Sequence, residues 1–194
     1  GDEGGSIYHV PVSYLVHRLT GVAVMDHSHA STSMLYSLED RNFDPVLLDI
    51  FNIREHELPA IADATDVAGT LNVQGAALTC LPEGIPVAVG TGDDFSTSLG
   101  AGVVRPGILT CVLGTAEVVG ALHPDQLIDK ERMVETHAYL GDTFFIENPG
   151  WLSGGALEWF RETFRLSDFC ELDALAELAP PGSEGLNFLP ALNG

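Results

Sequence analysis

The order of apolar and polar positions divides the chain into short elements, most of them bounded by glycine or proline. Residues 12–19 carry apolar side chains at helical spacing and run into Thr20-Gly21, where glycine suits the left-handed turn that ends a helix. Asp44-Pro45 predicts a helix start, with a capping carboxylate before proline at the first helical position. Val46, Leu47, Ile50 and Phe51 then follow at helical intervals. Another short helix is predicted over 72–81, closed by Pro82-Glu83-Gly84. The apolar run 85–90 lacks polar alternation and predicts a buried parallel strand. It leads directly into Thr91-Gly92-Asp93-Asp94 and a small-residue helix over 95–102.

After Val103 the pattern turns to strands. These are predicted over 108–113 and 118–122, and then over 134–140 and 143–146 across Gly141-Asp142. Ser153 is read as the cap of an amphipathic helix carrying Ala156, Leu157, Trp159, Phe160 and Phe164, and a last helix is expected over 172–178. Trp151 and Trp159 are expected in the core. The change of pattern predicts a domain boundary near Val103.

Composition narrows the partners. With 28 acidic and 8 basic residues the net charge is −20, which repels phosphate backbones and anionic membranes. Nucleic acid and membrane surfaces are therefore excluded as expected partners. No apolar run has the ~18–20 residues of a membrane-spanning helix, and no signal-peptide pattern is present. Cys80, Cys111 and Cys170 are far apart without a CxxC pair, so buried thiols in a reducing cytoplasm are expected. Lys130 is the only lysine and is followed by Glu131, which removes the Walker loop and the protein-kinase strand lysine. Any phosphate must then be held by backbone amides and a metal ion.

Three glycine-rich turns could carry chemistry. Gly90-Thr91-Gly92-Asp93-Asp94 places carboxylates at a predicted strand end and helix start, where a substrate hydroxyl could lose its proton; simple helix capping by the aspartates is the competing reading. Phe95 stands where a dinucleotide fingerprint needs its third glycine. Gly114-Thr115-Ala116 offers amides and a hydroxyl to a phosphate, or is a plain tight turn. Gly154-Gly155-Ala156 opens a helix with residues that weaken it by ~1 kcal/mol each, which points to close approach by a ligand or a neighbouring segment. Close packing is the favoured of those two explanations. Asp26-His27-Ser28-His29 has ligand-type side chains but no third ligand at a suitable spacing, so it is read as a polar loop without a metal. His56-Glu57 lacks the second histidine of a zinc-protease motif.

Taken in order, several pieces resemble the FGGY carbohydrate kinases: Arg18-Leu19-Thr20-Gly21, Asp26 with Ala30-Ser31, Leu58-Pro59, and Gly84-Ile85-Pro86-Val87. Gly90-Thr91-Gly92-Asp93 with Gly100-Ala101-Gly102, Pro106-Gly107 before Gly114-Thr115, and Gly154-Gly155-Ala156 with Trp159-Phe160 continue the resemblance. It implies an α/β, actin-like ATPase (RNase H-like) fold, with the end of a first domain and the start of a second. Residues 1–102 would close the N-terminal, sugar-binding domain, and 103–194 would open the C-terminal, nucleotide-binding domain. The implied reaction moves the γ-phosphoryl of ATP, with Mg²⁺, onto a hydroxyl of a sugar or polyol in the cytoplasm.

By the same resemblance Asp93 matches the catalytic base, and Asp94 stands where relatives carry a substrate-touching Asn or Gln. Gly114 and Thr115 match a phosphate-binding loop, with Ala116 in place of a serine, and Gly154 matches a nucleotide-contacting glycine. No residue is assigned as a metal ligand. The lean Gly-x-Gly-Asp turn resembles xylulokinases, so a D-xylulose-like ketopentose is the expected acceptor. The oligomeric state stays open, a homodimer included. The family's Asp-x-Gly-Thr loop has no counterpart in these residues, which read as the middle of a kinase and are not expected to catalyse alone. The alternative is a non-catalytic sugar- or nucleotide-binding module of the same fold, against which the retained Asp93 argues.

Overall fold

The computed structural model describes residues 6–192. Helix α1 (Pro11–Thr20) ends on Gly21, which adopts φ 86° as its left-handed cap. Strand β1 (Val24–Asp26) delivers Asp26 to the start of α2 (His27–Thr32), where its carboxylate accepts from the backbone N–H groups of Ser28 and His29. The small hairpin of β2 (Tyr36–Ser37) and β3 (Asn42–Phe43) leads to α3 (Pro45–Phe51), which begins at Asp44-Pro45 with the expected cap. Strand β4 (Ala60–Ala62) pairs in parallel with β1, bringing Ala62 beside Asp26.

Strand β5 (Val67–Thr70), helix α4 (Val73–Thr79) and β6 (Pro86–Ala88) form one unit, and here the structure differs from the sequence expectation. The run 85–90 is not a buried parallel strand: β6 pairs antiparallel with β5, and Pro86 and Ala88 are exposed. The reason lies in the connection. Leu71 N–H donates to Ile85 O at 2.8 Å and Gly84 N–H to Leu71 O at 2.9 Å, so α4 is the excursion of a hairpin that closes on itself. Val89 alone of this run reaches the core, against Val16 and Val24.

Helix α5 (Asp93–Gly100) follows, and then β7 (Leu109–Leu113), β8 (Ala116–His123), β9 (Glu135–Ala138) and β10 (Phe144–Leu152). These four strands form an antiparallel sheet in the order β7-β8-β10-β9, which realises the two expected hairpins. Helices α6 (Gly154–Thr163) and α7 (Phe169–Ala176) complete the regular structure. Ser153 precedes α6 but makes no side-chain cap; its backbone N–H donates to Thr115 O at 2.9 Å, so a loop carbonyl anchors this helix end instead. No helix among the described residues is long and apolar enough to cross a membrane.

Two apolar clusters tie the first half of the chain to the sheet. Ala138 packs with Met25, Ala30, Leu35, Tyr36, Phe43 and Leu48, while Phe95 and Val103 pack with Leu122, Tyr139 and Phe145. The cysteines are not buried as expected: all three are exposed. Cys111 lies on the outward row of the edge strand β7, Cys80 is the left-handed cap of α4, and Cys170 is on an exposed face of α7. Trp159 is also no core residue, since it stacks on Phe188 at the surface; the Trp151 side chain lies outside the described residues.

Phe145, fully buried, lies across Gly120 of β8, where an added Cβ would stand 2.1 Å from Phe145 Cζ. This contact sets the packing of the sheet under α5. Gly120→Ala is expected to destabilise by about 1–3 kcal/mol, the range of an overpacked core, read as a lower urea midpoint. An unchanged midpoint would show that the Phe145 ring moves aside freely.

Candidate active site

The best-defined polar centre lies where β1 meets the loop before α5. Asp26 is 1% exposed, and its Oδ2 accepts from Ser28 N–H at 3.1 Å and from Thr91 Oγ1–H at 2.7 Å. Its Oδ1 accepts from His29 N–H at 3.3 Å and lies 2.7 Å from His29 Nδ1. Burial raises the Asp26 pKa, but the hydrogen bonds from His29 and Thr91 and the nearby imidazole outweigh it and hold the carboxyl below its ordinary range. Asp26-His27-Ser28-His29 is therefore not a polar loop but a strand end and helix start with a buried carboxylate at its centre.

This centre shapes the glycine turn. Gly90 takes φ 74°, which favours glycine, and its N–H donates to Ala64 O at 2.9 Å. Gly92 is buried against His29, whose Nε2 would lie 2.9 Å from a Cβ added there. Thr91 is thus gripped by Asp26 while both flanking glycines meet separate backbone demands. Gly92 is the N-cap of α5, so Asp93 and Asp94 are its first two helical residues and neither is the cap. Both are exposed at the positive end of the helix. Burial, followed by the charges of Glu147 and Asp93, raises the Asp94 pKa, with His137 and His29 opposing. A cavity of about 130 Å³ beside Asp26, lined by His27, Asp63, Thr91 and Tyr139 among others, does not include Asp93.

A second centre joins the β7–β8 turn to α6. Gly154 N–H donates to Gly114 O at 2.9 Å, and Gly155 N–H to Thr115 O at 3.1 Å. A Cβ on Gly154 would stand 2.6 Å from Gly114 O, and one on Gly155 3.1 Å from Thr115 O. The glycines therefore serve close packing of backbone on backbone. Gly114 N–H is itself engaged, donating to Ala116 O at 2.9 Å. Thr115 is exposed, and its hydroxyl makes no hydrogen bond among the described residues.

The structure thus brings Gly114, Thr115 and Gly154 together, and keeps Asp93 and Asp94 together on α5. No hydrogen bond joins the two groups among the described residues. Sequence spacing missed Asp26, whose partner Thr91 is 65 positions away. It also missed Glu135, His137 and Glu147, which sit on facing strands; the Glu-x-His alternation in a predicted strand was the available signal.

Residues 6–100 match the model for the FGGY family of carbohydrate kinases, N-terminal domain. L-xylulose/3-keto-L-gulonate kinase of Escherichia coli (strain K12) is 33% identical over 184 residues, 93% of this chain and 37% of that protein. Glycerol kinase of Gloeobacter violaceus is 29% identical over 188 residues, 94% of this chain and 37% of that protein. The crystal structure of xylulose kinase from Rhodospirillum rubrum has a TM-score of 0.81 at 26% identity, over 94% of this chain and 38% of that one. The chain spans a little over a third of the length of these relatives. The match bears out the mixed α/β, actin-like ATPase fold for the N-terminal-domain part.

Because the Asp26 pKa is depressed in the folded state, its ionised form stabilises the fold above the ordinary value of 3.8, and that contribution is lost as pH falls through the lower folded value. Asp26→Asn is expected to cost about 1.5–3 kcal/mol at neutral pH, the worth of hydrogen bonds to a charged group. The gap in urea midpoint between wild type and variant should narrow at pH 3; a gap equal at pH 7 and pH 3 would refute the assignment.

Proposed function

This chain belongs to the FGGY family of carbohydrate kinases, and we propose that the protein containing it transfers the γ-phosphoryl group of ATP to a hydroxyl of a ketopentose or related sugar, with D-xylulose as the model acceptor. The observation that carries this reading is the exposure of Asp93 at the first position of α5, behind a turn that Asp26 and His29 hold in place. A base must reach a bound hydroxyl and keep its direction, and this turn supplies both. Asp93 takes the proton from the attacking hydroxyl, and Asp94 beside it touches the acceptor. The names of two of the three relatives, which include xylulose or L-xylulose, support the acceptor class.

The nucleotide side rests on the second centre. Thr115 offers an exposed hydroxyl to the phosphates, while Gly114 and Gly154, whose amides are already engaged, contribute shape rather than donors. A chain of net charge −20 needs a cation to bring a triphosphate near two carboxylates. Mg²⁺ supplies that neutralisation when bound. We assign residues 103–194 to the start of the nucleotide-binding domain. The end of the family match at residue 100 and the start of the four-stranded sheet at Leu109 support this division. A cytoplasmic location follows the same family reading.

In the full-length protein, Asp93→Asn is expected to lower turnover by ~10²–10⁴-fold, the usual contribution of a general base, with the KM for ATP unchanged. Ketopentose-dependent ADP release measures it. Near-normal turnover would remove Asp93 from the role.

A further inference from the structure

The β9–β10 ladder collects a group of side chains that the phosphoryl-transfer reading does not use. Glu135 lies directly opposite Glu147, and His137 directly opposite Phe145. Side chains alternate along a strand, so all four share one face. Two carboxylates directly across a strand pair repel each other. Here Glu147 is also 8% exposed and His137 only 5%, on a floor made by Phe95 and Phe145.

The group is unsatisfied as it stands. His137 Nε2 lies 3.1 Å from Glu147 Oε1 and 3.4 Å from Glu135 Oε2, yet neither approach has hydrogen-bond geometry. His137 Nδ1 and Glu147 Oε2 are buried without any hydrogen-bond partner among the described residues. Leaving such groups unpaired away from water destabilises the fold. A divalent ion would take Nε2 and one oxygen from each carboxylate together, and these ligand atoms lie within 4.8 Å of one another.

We propose that Glu135, His137 and Glu147 form a binding site for a divalent transition ion of the zinc class. One imidazole and two carboxylates are a ligand set that such an ion accepts, with a fourth position left for water. Glu135, with a largely exposed side chain, forms the rim through which the ion enters, and the two buried ligands form the base. Because Phe95 packs edge-to-face on His137 at 5.6 Å, a bound ion fastens β9 and β10 beneath the first turn of α5. The role is structural, and its ligands are none of the residues assigned to phosphoryl transfer, although Asp94 lies near enough to feel the charges of Glu147 and His137.

The test is calorimetric titration of Zn²⁺ into chelator-stripped, nucleotide-free full-length protein, with melting temperatures in parallel. The expected result is one bound Zn²⁺ per chain at this site and a raised melting temperature. In His137→Gln that binding should weaken at least tenfold and the thermal gain should vanish. Glu135→Gln, at an exposed position, tests the same site should the buried variant lose its fold, and it too should weaken binding. Absence of Zn²⁺ binding to wild type, or unchanged affinity in Glu135→Gln, would overturn the proposal.

Discussion

One buried carboxylate organises the first half of this chain. Asp26 is almost fully removed from water, a position that an unpaired charge could not hold. It is tolerated because two backbone N–H groups, an imidazole and a threonine hydroxyl converge on it. Those partners come from two different segments, so satisfying the charge also determines where the segments sit. His29 is held by Asp26, and Gly92 packs against His29; Thr91 is held directly. The position of Asp93 follows as the next residue along the chain.

The second half is organised by backbone proximity instead of charge. Gly114 and Thr115 accept hydrogen bonds from the residues that open α6, and glycine at 154 and 155 is what allows the approach. The sheet beneath is set by Phe145 lying over Gly120, a close fit of a large ring on a missing side chain. Phe95 joins the two halves, since it follows the aspartates on α5 and packs against Phe145, Tyr139 and His137. The carboxylates on α5 are thereby mounted on the sheet as well as on Asp26.

What was legible in the sequence was local. Asp44-Pro45, Asn72 and Gly21 mark real helix ends because their capping groups act within a few residues. The hairpin at Gly141-Asp142 was equally plain from its turn. Pairing direction was not: an apolar run such as 85–90 looks alike in a parallel or antiparallel ladder, and the bonds between Leu71, Gly84 and Ile85 that decide it are tertiary. Ser153 had the composition of a cap, but a loop carbonyl from Thr115 met the chain first. Asp26 was hidden for a similar reason, because its partner Thr91 belongs to another element. The three glycine-rich turns were found by composition, and the resemblance gave their family; that Gly154 serves packing on Gly114 needed the backbone positions.

The central claim is that Asp26 acts on catalysis through Thr91 and the turn that carries Asp93. A double-mutant cycle measures this most directly, comparing kcat for ketopentose phosphorylation in full-length Asp26→Asn, Thr91→Val and the double variant. Residues acting through one hydrogen bond are not additive. The account predicts that the double variant loses no more than the more damaged single variant. A loss equal to the product of the two single losses would mean that the residues act independently, and would contradict it.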